Sequence, residues 1–213
     1  MRDRVKPILY LHGFASSPNG RKVAALKETL EPEGFEVVAP DLNVPSFERL
    51  SFEAMSETAA AALTKHSPAV VVGSSLGALV ALQAVHIGHA VPLVLIAPAL
   101  GFGTRWTEKL PPGDPVRFFH FGENRELLIH RGFFEEMAGV DVDLYPPEVA
   151  VTVVMGTRDD SVPVDLVEGV WKRWEISGRL VPGSRFVSVP GGDHGLVDNV
   201  GLLANEIRSA AMG

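Results

Sequence analysis

Short apolar runs alternate along this chain with longer stretches whose apolar residues recur at helical spacing. Ile8–Leu11, Phe35–Ala39, Val70–Val72, Pro92–Ala97, Val149–Met155 and Arg185–Val189 each read as a buried strand, ended within two residues by Gly or Pro. Between them, Val23, Leu26 and Leu30 fall on one face of a helix. Phe52, Met55, Ala59 and Leu63 line another, in a helical region opened by Pro45-Ser46. Ala78–Val85 is a compact apolar helix, and further helices are expected around Pro163–Glu175 and Leu196–Ala211. Alternation of this kind predicts an α/β fold: a mostly parallel sheet of about six strands with helices on both faces and right-handed crossovers.

The alternation fails between residues 101 and 147, where no strand–helix unit is evident. Eight of the sixteen aromatic residues fall there: Phe102, Trp106, Phe118, Phe119, Phe121, Phe133, Phe134 and Tyr145. Val116–Phe121 and Glu126–His130, joined by Gly122-Glu123-Asn124-Arg125, predict a hairpin, and Phe133–Ala138 a short helix. An insertion of this length inside one compact domain of residues 1–213 is expected to act as a lid over a binding site. Its Trp106 is a candidate substrate contact, while His120 and His130 on the hairpin are expected at the surface or rim.

Composition narrows the partners. A net charge of −7 with no local Lys/Arg cluster argues against nucleic acid or an anionic membrane, which both require a basic face. Absence of cysteine excludes disulfides, thiol catalysis and cysteine-ligated metals. No His/Asp/Glu set has metal-ligand spacing, so neither metal nor cofactor is expected. Without a signal-peptide apolar region or a run of membrane-spanning length, a cytoplasmic protein is expected, as monomer or homodimer.

The chemistry is concentrated where Val70-Val71-Val72 passes into Gly73-Ser74-Ser75-Leu76-Gly77. A serine between two glycines, at a sharp turn from buried strand to apolar helix, is lifted above the sheet beside the helix's unpaired N–H groups. Gly73 and Gly77 supply room that no side chain could leave, and Ser74 is expected to be structural. Such a serine needs a base, and the base an orienting acid. Two later loops offer them at strand ends: Gly156-Thr157-Arg158-Asp159-Asp160-Ser161-Val162-Pro163, with Asp159 or Asp160, and Pro190-Gly191-Gly192-Asp193-His194-Gly195, with His194. Asp193 is expected to shape its turn, and Asp41, after the second strand, to order its loop.

These residues carry a resemblance to the α/β-hydrolase superfamily over nearly the whole chain. Tyr10-Leu11-His12-Gly13-Phe14-Ala15-Ser16-Ser17 resembles small bacterial esterases of the YqiA type. Val72–Gly77, together with the hairpin-and-helix insertion, is similar to the acyl-glucuronide esterase and depalmitoylase branch. The acid loop Gly-x-x-Asp-x-x-Val-Pro of that superfamily selects Asp159 over Asp160 and leaves His194 as the base. The resemblance further implies an oxyanion hole from the backbone N–H groups of Phe14 and Leu76. Gly13 would allow close approach of the backbone to substrate, with His12 bracing that loop. Relative to the superfamily, the chain starts at the third strand, which is why six are expected.

The implied activity is that of a serine hydrolase cleaving carboxylic ester or thioester bonds of small acyl substrates through Ser75, His194 and Asp159. Two other readings use the same scaffold: a cofactor-free lyase or transacylase on the same triad, and a non-catalytic ligand-binding module.

Overall fold

In the computed structural model, residues 6–87, 90–107, 109–141 and 147–213 are described. Six strands, β1 (Lys6–Leu11), β2 (Phe35–Val38), β3 (Val70–Ser74), β4 (Leu93–Ile96), β7 (Val151–Gly156) and β8 (Arg185–Val189), form one sheet. A separate two-stranded hairpin pairs β5 (Val116–His120) with β6 (Arg125–Ile129). The large sheet runs β2-β1-β3-β4-β7-β8, and every pairing in it is parallel.

Period-2 alternation divides the strand residues between two cores. Leu9, Leu11, Val71, Leu93, Leu95, Val153 and Met155 face α2 (Phe52–His66), α3 (Leu76–His86) and α6 (Val164–Ile176). Ile8, Tyr10, Val70, Val72, Val94, Ile96 and Val154 face α1 (Arg21–Leu30) and α7 (Val200–Met212). Covered on both faces, the central strands can be apolar throughout, which explains the unbroken Val and Leu runs. The predicted stripes of α1 and α2 are the buried ones: Val23, Leu26 and Leu30 in one, Phe52, Met55, Ala59 and Leu63 in the other.

From β1 the chain goes first to β2 on one side and then crosses to β3 on the other. The loops leaving β1 and β3 therefore diverge at their carboxyl ends, a switch point where open α/β sheets hold ligands.

Several expectations need correction. The insertion contains a helix that sequence periodicity did not reveal, α4 (Phe102–Thr107), packed against α5 (Gly132–Ala138). Six residues are too few to display a helical period. The region opened by Pro45-Ser46 begins as a single turn, Phe47–Arg49, in which Ser46 accepts the Arg49 amide. A second cap, Ser51 on the Ala54 amide, then starts α2. At the carboxyl end, Leu196 has φ of +49° and so lies outside the last helix, which starts at Val200.

His120 also departs from expectation: it is 1 % exposed, not at the rim. Its Nδ1 accepts the Glu123 amide (3.1 Å), which leaves Nε2–H to face Asn43 Oδ1 (3.4 Å). The ring stands edge-on to Phe47 at 4.7 Å. Burial holds its pKa below the ordinary histidine range, consistent with a neutral, fully satisfied ring. His130, by contrast, is half-buried at the hairpin's rim, between Asp114 and Glu48. Tyr145 lies outside the described residues.

No helix among the described residues is long and apolar enough to cross a membrane.

Candidate active site

Ser75 follows β3 directly, with φ of +54° and ψ of −118°. That is the left-handed side of the map, where a non-glycine residue costs on the order of 1–3 kcal/mol and needs its surroundings to hold it. They do: the Ser75 N–H donates to Ile96 O (2.9 Å), and Ser75 O accepts from Ala78 (3.0 Å) and Ala99 (3.1 Å). A Cβ on Gly73 would come within 2.5 Å of Ala78 Cα, and one on Gly77 within 2.1 Å of Leu11 O. Both glycines are thus required by close backbone approach, as the turn predicts.

Three remote loops meet at this serine. His194 Nε2 lies 3.1 Å from Ser75 Oγ, and His194 Nδ1 lies 2.8 Å from Asp159 Oδ2. The other Asp159 oxygen accepts the amides of Ser161 (2.9 Å) and Val162 (2.8 Å). Burial pushes this carboxyl up, but the hydrogen bonds from His194 and from the Val162 and Ser161 amides outweigh it. Asp159 therefore sits below the ordinary carboxylate range and stays ionised. Asp160 points elsewhere and accepts the Ser161 hydroxyl. Asp193 accepts the Leu196 amide (2.7 Å) and so shapes the turn that carries His194.

The loop after β1 forms the opposite lip. A Cβ on Gly13 would stand 3.0 Å from Ser75 Cβ and 3.6 Å from its Oγ, so this backbone passes directly beside the hydroxyl. His12 is 2 % exposed and braces the loop. Its Nε2 accepts the Leu42 amide (2.9 Å), which leaves Nδ1–H to meet Gly13 O (3.0 Å). Asp41 orders the neighbouring loop by accepting both the backbone and side-chain N–H groups of Asn43. Among the described residues no acceptor is found for the Phe14 amide, nor for that of Leu76 at the start of α3. Gly13→Ala is expected to lower kcat/KM about 10- to 100-fold with little change in melting temperature. The added methyl must displace the serine by a few tenths of an ångström, and misplacement of reacting groups costs on this scale.

The Phe14 side chain has a part of its own. Its ring is met by Phe47, Phe102, Trp106, Phe118, Phe133 and Phe134 at centroid distances of 5.3–6.2 Å. The loop after β1 is thereby fastened into the insertion, most of whose aromatics serve as packing. Phe102 and Trp106 do both jobs, since they also line the cavity over Ser75, about 330 Å³ in volume.

On its other side that cavity is bordered by groups without a signal in the sequence. Lys22 donates from Nζ to Ser74 Oγ (2.9 Å), and the Tyr10 hydroxyl borders the same Ser74. Burial pulls the Lys22 pKa down to about 8, against the opposing pull of Asp159 and Asp193. A lysine at the start of an amphipathic helix looks like any solvated one; only the fold turns it toward the serine.

The profile of a family described as Uncharacterised protein family (UPF0227) matches residues 7–123. No curated protein matches the chain by sequence. Solved structures do match by shape. Est1E from Butyrivibrio proteoclasticus with ferulic acid bound is 16 % identical at a TM-score of 0.74, over 97 % of this chain and 88 % of that one. The esterase domain of a Rhodothermus marinus protein is 18 % identical at 0.73, over 98 % and 88 %. Alpha/beta hydrolase domain-containing protein 10 from mouse is 20 % identical at 0.71, over 98 % and 90 %. The fold is therefore that of the α/β hydrolases.

Proposed function

The chain belongs to the UPF0227 family, and from the geometry around Ser75 we propose that it is a serine hydrolase acting on carboxylic ester or thioester bonds of small acyl substrates. The observation that carries this reading is the relay in which His194 bridges Ser75 Oγ (3.1 Å) and Asp159 (2.8 Å). His194 takes the Ser75 proton as Oγ attacks the acyl carbon, and returns it to the departing alcohol or thiol. Asp159 holds the Nδ1–H tautomer and stabilises the imidazolium formed in between. The amides of Phe14 and Leu76 receive the negative charge that develops on the former carbonyl oxygen. A donor in that role typically contributes about 3 kcal/mol of barrier lowering. Water, activated by the same histidine, then releases the acid.

Esterases among the structural matches support a hydrolytic activity, and the apolar wall of Phe14, Phe102, Trp106 and Val162 suits an apolar acyl or aryl group. The described part of the insertion that lines the cleft, with Phe102, Trp106 and Phe121, would then cover it as a lid. An alkyl fluorophosphonate tests the assignment: one covalent adduct is expected on native protein, located at Ser75 by peptide mass and absent from Ser75→Ala. An accessible Ser75 that takes no label would favour the non-catalytic binding module.

A further inference from the structure

The cavity over Ser75 has two unlike walls. Facing the aromatic side are Tyr10, Ser74 and the first turn of α1 with Arg21 and Lys22, while Arg105 reaches the rim from α4. Three cationic side chains line the cavity, and among the described lining residues there is no Asp or Glu. The chain as a whole carries a net charge of −7, so this lining runs against the average of the molecule.

Lys22 is the best placed of the three. An ammonium has three N–H donors, and Ser74 Oγ takes one of them. No ion pair ties Lys22 to a carboxylate among the described residues. The two acids that feel its charge are committed elsewhere: Asp159 to His194 and two amides, Asp193 to the Leu196 amide. Ser74 immediately precedes Ser75, so the ammonium is tethered one residue from the nucleophile. The start of α1 adds to the same field, because no side chain caps it and no acid occupies its first turn.

We propose that Lys22, seconded by Arg21 and Arg105, forms an anion subsite beside Ser75, and that the ester this cavity takes carries a carboxylate or phosphate group. The apolar wall holds the rest of the molecule. As a substrate subsite it rests on the hydrolase reading of Ser75, whereas binding of an anion does not.

Two matched ester pairs provide the test, since the anion can lie on either side of the scissile bond. On the acyl side these are the 4-nitrophenyl monoester of glutaric acid and 4-nitrophenyl hexanoate. On the alcohol side they are the butyrates of 4-hydroxybenzoate and of 4-hydroxybenzamide. In one pair the anionic member is expected to have a kcat/KM about 10- to 100-fold above its neutral partner at pH 7, the range a charge-assisted hydrogen bond carries. The ratio should collapse in Lys22→Met and return in Lys22→Arg. In the native protein it should fade as pH rises through about 8, where Lys22 loses its proton, and persist in Lys22→Arg. Tyr10, His194, Arg21, Arg105, Asp159 and Asp193 surround the same point, so the contrast between native protein and Lys22→Arg assigns the effect to Lys22.

Equal rates within both pairs, or a preference untouched by Lys22→Met, would overturn the subsite and leave the hydrolase intact. Should no ester turn over, calorimetry on the native protein decides separately with monomethyl glutarate, methyl phosphate and neutral dimethyl glutarate. Anion binding that is lost in Lys22→Met keeps the subsite while the hydrolase reading falls, and the tighter anion identifies carboxylate or phosphate. No anion binding overturns it.

Discussion

His194→Ala is expected to lower kcat on an activated ester about a million-fold, the scale seen when the base of a serine triad is removed. The residue bridges the other two members, so without it Ser75 keeps its proton and Asp159 has nothing to orient. Asp159→Asn should cost less, about 10⁴-fold, because an amide at that point favours the wrong imidazole tautomer while leaving the geometry in place. Adding Ser75→Ala to His194→Ala should cost almost nothing more, as the proposed mechanism has the three acting as one unit. The His194 side chain is 28 % exposed, but its truncation takes one hydrogen bond from the fully buried Asp159 carboxylate, so the urea midpoint should fall modestly while the fold is kept. Steady-state rates on purified variants with matched circular dichroism check this. A His194→Ala protein within tenfold of the native kcat would remove the histidine from the mechanism.

Gly77→Ala is expected to act on the fold itself, by about 3–5 kcal/mol, above the roughly 1–3 kcal/mol usual for an overpacked interior because the clash is with backbone. An added Cβ would stand 2.1 Å from Leu11 O and 2.6 Å from His12 O. Both are backbone atoms, so no side chain can rotate out of the way. Relief requires α3 to withdraw from the end of β1, which would carry Ser75 away from Gly13 and His194. Gly201→Ala provides the contrast. That glycine is exposed on α7 with nothing within 4 Å of its Cβ position, and the change should stabilise by about 0.5–1 kcal/mol. Urea denaturation midpoints with unchanged m-values separate the two effects. A Gly77→Ala protein as stable as the native one would mean that the helix does not dock this closely.

The elements that could be read ahead of the structure are those whose signal is local. Ile8 to Leu11 and Val70 to Val72 alternate between two cores, and a strand buried on both faces shows itself as a continuous apolar run. The glycines flanking Ser75 are legible for a similar reason, as a constraint within a few residues of chain, whereas only the resemblance of its loop to the α/β-hydrolase acid motif separates Asp159 from Asp160. Short or cooperative signals carry no such local mark. Six residues of α4 cannot establish a period, and His120 looks like any polar residue on a hairpin until Asn43 and Glu123 are brought to its two nitrogens.

By itself, then, the sequence determined the alternation of strand and helix, the strained turn at Ser75, and the acid and base candidates at the ends of later strands. Only the tertiary structure decided that His194 reaches Ser75 across 119 positions of chain, that the Phe14 ring is held by the insertion, and that Lys22 turns toward Ser74. The division is physical. Backbone conformation and burial are set by neighbours a few residues away, whereas hydrogen bonds and charge fields join whichever groups the folded chain brings within a few ångströms, and no local spacing encodes that meeting.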